Sequence, residues 1–152
     1  MIARLAAKTW VLVADGGRAL VFENAGDALK PRLQEVRSRT IANPPTREQG
    51  TDKAGRYHDG WSPHRSAVET TDFHDEAEKA FMAEVAGELD ADLAAGRFRD
   101  LIVVVEPRAL GHLRKAMSAR LKGHVSAEIA KDLTREPAEA IALAVARTLE
   151  RA

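Results

Sequence analysis

The chain has 152 residues, 45% of them hydrophobic, with 23 basic and 23 acidic side chains and no cysteine. That length corresponds to one domain able to bury about two thirds of its unfolded surface. The missing cysteine excludes disulfides, thiolate zinc sites and a cysteine nucleophile, and is consistent with a reducing, cytoplasmic setting. Zero net charge argues against a surface that is basic throughout.

Residues 10–14 form an apolar run behind Arg4 and Lys8, superficially like a leader peptide. The run is five residues long and ends at Asp15-Gly16, too short for a leader's hydrophobic region or a membrane span. Residues 9–14 (TWVLVA) instead predict a strand covered on both faces. Asp15-Gly16-Gly17-Arg18 offers residues that tolerate positive φ, which predicts a tight hairpin into a second strand at 19–23. Residues 33–41 alternate Val36, Ser38 and Thr40 with Glu35, Arg37 and Arg39, and the charged face predicts an edge strand.

Residues 42–71 break this pattern as a long polar stretch holding Pro44, Pro45, Gly50, Gly55, Gly60 and Pro63. Compact domains seldom keep irregular segments beyond about 12–15 residues unless they are functional or disordered, so a flexible functional loop is expected there. Asp72 with Asp75 and Glu76 then suits the start of a helix. Its apolar stripe is Ala77, Phe81, Val85, Leu89 and Leu93, and Gly96 is placed to close it.

Residues 101–105 (LIVVV) are the strongest buried-strand signal. Pro107 opens a second helix that buries Leu110, Leu113, Met117 and Leu121 and exposes Arg108, Arg114, Lys115 and Arg120. Val125, Ala127 and Ile129 alternate in a fifth strand, and Thr134 and Pro137 precede a third helix with Ile141, Val145 and Leu149 inside. The order is β-β-β-α-β-α-β-α. With right-handed crossovers it yields an α/β domain with a mixed five-stranded sheet of order 3-2-1-4-5. Its second strand is antiparallel and three helices cover its faces, a ribonuclease-H-like arrangement spanning 1–152.

Charge is segregated along the chain. Residues 30–66 carry eight basic against four acidic side chains, residues 67–106 three against eleven, and residues 107–152 nine against five. The acidic block reads first as the solvated face of a helix. The polar segment holds Lys53, Gly55, Arg56, His58, Trp61, His64 and Arg65. Glycine permits close backbone approach, arginine clamps phosphate and tryptophan stacks on bases, a combination suited to contact rather than catalysis.

Sites in open α/β sheets gather at the carboxyl ends of parallel strands, where Asp15, Glu106 and Asp132 follow three of them. Converging carboxylates of this kind could hold divalent metals for phosphoryl transfer, although each also suits a turn or cap. His58, His64 and His74 stand six and ten residues apart, matching no zinc pattern. No phosphate-binding glycine pattern, dinucleotide fingerprint or nucleophile elbow occurs, so no cofactor is expected.

Three stretches, WVLVADGGRALVFE (10–23), Gly55-Arg56 ahead of His58, and LIVVVEPRALGHLRKAMSARLKGHVSAEIAKDLTREP (101–137), resemble the bacterial host-attachment protein family. The block contains Pro107-Arg108, Leu110-Gly111, Leu113-Arg114-Lys115 and Lys131-Asp132-Leu133, and the likeness covers nearly the whole chain. Members of that family are described as required for attachment to host cells. It is similar in turn to the middle domain of eukaryotic and archaeal peptide-chain release factors and of Pelota, whose fold is ribonuclease-H-like.

In release factors the loop after the third strand carries Gly-Gly-Gln, which supports peptidyl-tRNA hydrolysis. The corresponding residues 42–71 have only Gln49, followed by the single Gly50. The resemblance therefore implies a non-enzymatic domain facing the ribosome or structured RNA, with Arg108, Arg114 and Lys115 assisting the loop. Two other readings stand beside it: a protein-interaction role in attachment without RNA, and a metal-dependent nuclease using Asp15, Glu106 and Asp132.

Overall fold

A computed structural model describes residues 4–41 and 63–151, with side chains described from Phe73 onward in the second stretch. Five strands, β1 (Trp10–Ala14), β2 (Arg18–Asn24), β3 (Leu33–Thr40), β4 (Leu101–Val105) and β5 (Val125–Ile129), form one sheet of order β3-β2-β1-β4-β5. β1 runs parallel to β4, and β4 to β5, while β2 is antiparallel to both β1 and β3. The expected strand order and directions are the observed ones.

Side-chain alternation on the central strands builds two cores. Trp10, Leu12 and Ala14 with Leu101, Val103 and Val105 face α1 (Pro63–Ala94), α2 (Pro107–Ala116) and α3 (Ala119–Gly123). Val11, Val13, Ile102 and Val104 face α4 (Ala138–Arg151) through Ile141, Val145 and Leu149. Both faces of β1 and β4 are thus sealed, which is why those strands are apolar throughout. Trp10 stacks on Phe98 at the end of the first core, ring centroids 4.9 Å apart.

Three details depart from the sequence expectation. First, α1 begins at Pro63, not near Asp72, so residues 63–71 are helical and His64 and Arg65 belong to its first turn. Proline is compatible with a helix's first turn because its missing N–H has no intrahelical partner there, and the Thr-rich stretch behind it did not stop the helix. Second, there are four described helices, not three. The predicted second helix breaks at Met117, whose backbone is extended at φ −71° and ψ 137°. Ser118 restarts it by accepting the Leu121 N–H at 3.0 Å. Leu110, Leu113, Met117 and Leu121 are all buried regardless of the break.

Third, neither Gly16 nor Gly17 has positive φ, although the hairpin forms as expected. The Asp15 carboxylate closes the turn by accepting from the Gly17 and Arg18 N–H groups, both at 2.8 Å. Gly16 is needed for room: a Cβ there would lie 2.5 Å from Glu78 Cδ. Gly96, by contrast, adopts φ +76° and terminates α1, its N–H bonding the Leu93 carbonyl while Arg97 N–H bonds that of Asp92.

β3 is an edge strand as expected, yet its charged residues are not simply solvated. A bulge at Val21/Phe22 turns Arg37 and Arg39 towards α1. There they meet a carboxylate row at four-residue spacing, Glu84, Glu88 and Asp92. Part of the acidic block is therefore the attachment of α1 to β3.

Candidate functional site

The carboxyl edge of the parallel strands collects the polar groups that could act together. Asp15 follows the end of β1 and Glu106 the end of β4, and the Glu106 N–H bonds the Ala14 carbonyl at 3.2 Å, so the two exits are adjacent. α1 runs back over this edge, bringing Glu78 against Gly16. The Ile41 N–H bonds the Gly17 carbonyl at 2.9 Å, so the chain leaves β3 towards residues 42–62 at the same edge.

Each carboxylate of the predicted metal trio has its own local work. Asp15 Oδ1 closes the hairpin, and Oδ2 accepts from Thr134 Oγ1 at 3.3 Å. Glu106 caps α2, accepting from the Ala109 N–H at 2.7 Å and the Arg108 N–H at 3.2 Å. Asp132 Oδ1 accepts from Thr134 Oγ1 at 2.7 Å and Thr134 N–H at 3.1 Å. Buried Thr134 thus bridges Asp15 and Asp132, while Glu106 points at α2.

Among the described residues, the group whose donor atoms come close enough to share an ion is a different one. Asp75, Glu78 and His112 each place one ligand-capable atom within 4.8 Å of the others. Arg108 already provides the positive charge there: its Nη2 donates to Asp75 Oδ1 at 3.0 Å, and its Nε lies 3.7 Å from Glu78. His112 Nε2 stands 3.1 Å from the same Asp75 oxygen. The guanidinium, and secondly the imidazole, hold the Asp75 carboxyl below the usual carboxylate range. Arg108 is raised in return, first by its bond to Asp75. A divalent ion at these atoms would have to displace Arg108, so the arrangement is an ion-paired lock between α1 and α2.

The candidate contact residues divide. Lys53, Gly55, Arg56, His58 and Trp61 lie outside the described residues, and the side chains of His64 and Arg65 do too. Arg108 is engaged at the carboxyl edge. Arg114 is paired with Glu128 of β5, Nη2 to Oε1 at 2.7 Å. Lys115 is exposed in the last turn of α2, seven residues from Arg108 and therefore ~10 Å along the axis. The three helix candidates are thus spread along α2 from its first turn to its last.

Asp75, Glu78 and His112 were not predicted as a group. Arg108 and His112 share a helix face at four-residue spacing, which sequence does show. Asp75, 37 residues from His112, reaches them only through the packing of α1 on α2. Among the described residues no helix is long and apolar enough to cross a membrane.

Residues 8–145 match the model of a family described as bacterial archaeo-eukaryotic release factor family 12. The chain belongs to that family. This release-factor family domain is also similar to the uncharacterized protein RP470 of Rickettsia prowazekii (strain Madrid E), at 32% identity over 85 residues. The aligned region covers 56% of this chain and 54% of that one, so the match spans about half the length of the curated relative. Among solved structures it is similar to the archaeal translation termination factor aRF1, with TM-score 0.45 and 12% identity. That alignment covers 94% of this chain and 39% of the archaeal one.

Proposed function

We propose that this release-factor-like domain is a non-enzymatic, cytoplasmic binding module that meets the ribosome or structured RNA through residues 42–62 and the first turns of α1. The observation that carries the reading is where that segment is rooted. It leaves β3 beside Gly17, at the carboxyl edge, and returns as α1, whose Glu78 packs against Gly16 fifteen residues after Pro63, so the start of the helix projects about 22 Å along its axis from that edge. Lys53, Arg56 and Arg65 supply phosphate contacts, Gly55 close approach, Trp61 a stacking face, and His58 and His64 further donors. Without Gly-Gly-Gln the segment binds and does not hydrolyse.

Salt-dependent co-sedimentation with ribosomes tests this reading, using wild type and an Arg56→Ala/Arg65→Ala variant. Wild type should pellet at low salt and the variant should remain in the supernatant. Absence of wild-type association at low salt sinks the reading.

The resemblance of residues 101–137 to host-attachment proteins favours a second role, in attachment to a host cell through protein partners. A deletion strain with normal translation and defective adhesion is the outcome that role requires.

A further inference from the structure

The edge of the sheet opposite Asp15 and Glu106 has a charge pattern of its own. We propose that this amino-terminal edge is a docking surface for the phosphate backbone of structured RNA. The release-factor reading informs the choice of RNA as partner; the surface itself rests on the geometry that follows.

The three parallel strands all start here, and their entry segments are hydrogen-bonded side by side. Trp10 N–H donates to the Asp100 carbonyl at 3.0 Å and Leu101 N–H to the His124 carbonyl at 2.9 Å. Buried Asn24, at the end of β2, ties in two more segments. Its Nδ2 donates to the Leu5 and Ala6 carbonyls at 2.9 and 3.1 Å, and its Oδ1 accepts from Arg32 N–H at 2.9 Å.

The result is that Arg4, Lys8, Lys30, Arg32, Arg99 and Lys122, all exposed, lie along one edge. Five strands spaced at ~4.8 Å make that edge ~19 Å wide, the span of a row of phosphates rather than of a single anion. The carboxylates sharing or bordering it are Glu23, Asp27, Asp100 and Glu139, the last lining one pocket with Lys30 and Arg32 without pairing with either, and Asp27 is held by its own turn, accepting from Leu29 and Lys30 N–H at 3.0 and 2.8 Å.

Two observations separate this edge from an ordinary charged surface. The arginines that face carboxylate-bearing helices and strands, Arg37, Arg39, Arg108, Arg114 and Arg120, are ion-paired, whereas the six cations named make no ion pair among the described residues. Lys8 also adopts φ +69°, the only described non-glycine residue at positive φ. Strain of this kind persists where the surroundings impose it and concentrates at functional positions. Here it is imposed by Lys8 N–H donating to the Asn24 carbonyl at 2.8 Å and Asn24 N–H donating to the Thr9 carbonyl at 2.9 Å. The lysine is thus presented from a fixed backbone. A lipid surface fits less well, because among the described residues Leu29 is the one large exposed apolar side chain beside these cations and an interfacial anchor needs an apolar face.

The test uses the full chain, a fluorescein-labelled 24-base-pair RNA duplex and, in parallel, vesicles containing anionic phosphatidylserine. Lys8→Asn/Arg99→Gln/Lys122→Gln is compared with wild type and with Arg56→Ala/Arg65→Ala. Arg99→Gln/Lys122→Gln serves as a second variant that leaves the strained residue alone. Each lost phosphate contact lowers the salt slope by roughly 0.7–0.9, so the triple variant should lose about 2–3 from the slope and at least about tenfold in affinity near 0.1 M salt. The double variant should lose roughly two thirds as much slope.

An unchanged slope in both edge variants overturns the proposal, as does a wild type that binds vesicles and not the duplex. Loss confined to the Arg56/Arg65 variant overturns it while upholding the 42–62 reading. Loss confined to the edge variants does the reverse.

Discussion

Arg37 of β3 reaches Asp92 of α1 with its Nη2 2.6 Å from Oδ2, and Asp92 is the only charged residue buried among the described residues, at 4% exposure. Arg97 approaches the other carboxylate oxygen at 3.2 Å, so one buried carboxylate joins the edge strand, the long helix and the turn that ends it. Removing Asp92 strands a half-buried guanidinium, and breaking fully buried pairs costs about 3–5 kcal/mol. Arg37 keeps partial solvent and its contact to Glu88, so Asp92→Ala should cost ~2 kcal/mol, lowering Tm by roughly 4–8 °C. Glu84→Ala, which removes an exposed partner of Arg39, should cost under about 1 kcal/mol. Urea unfolding of the two variants separates them; equal losses contradict the assignment.

The two glycines should respond in opposite ways. Gly96→Ala places a Cβ at φ +76° and should cost about 1 kcal/mol, which no second substitution nearby relieves. Gly16→Ala meets only the movable end of Glu78, so its cost should largely disappear when combined with Glu78→Ala. A double-mutant cycle by chemical denaturation gives the coupling directly, and strict additivity at Gly16 would contradict the close-approach account.

The Asp75 lock predicts a pH dependence of definite sign. A carboxyl with a lowered folded pKa contributes stability in full above the unfolded aspartate value of about 3.9, and loses it as pH falls through the lower folded value. Wild type should therefore be more stable than Asp75→Asn at pH 7, and the two should converge in strongly acidic solution. Thermal melts from pH 7 to pH 2.5 show this; a gap that is constant across the range contradicts it.

Thr134 is buried and its hydroxyl bridges Asp15 and Asp132. Thr134→Val keeps the shape and removes the bridge, which should cost about 1 kcal/mol. Thr134→Ser should retain most of it. A loss in Thr134→Ser with none in Thr134→Val would assign the effect to the methyl group's packing instead of the hydroxyl.

What sequence alone determined here is whatever depends on local pattern. Apolar runs at 10–14 and 101–105, the four-residue stripe from Ala77 to Leu93 and the alternation at Val125, Ala127 and Ile129 were sufficient, because burial on one or both faces imposes those periods directly. With right-handed crossovers they also dictated strand order.

Tertiary structure decided what depends on through-space meetings. The bulge that turns Arg37 towards Asp92, the closeness of Gly16 to Glu78 and the gathering of Asp75, Arg108 and His112 join residues tens of positions apart. No local period encodes them. The same holds for charge: counted along the chain, basic and acidic blocks alternate, but folding pairs off much of the acidic block and leaves Arg4, Lys8, Lys30, Arg32, Arg99 and Lys122 exposed along one edge. The reason is physical. A carboxylate neutralises the cation it touches, and which one it touches is set by packing.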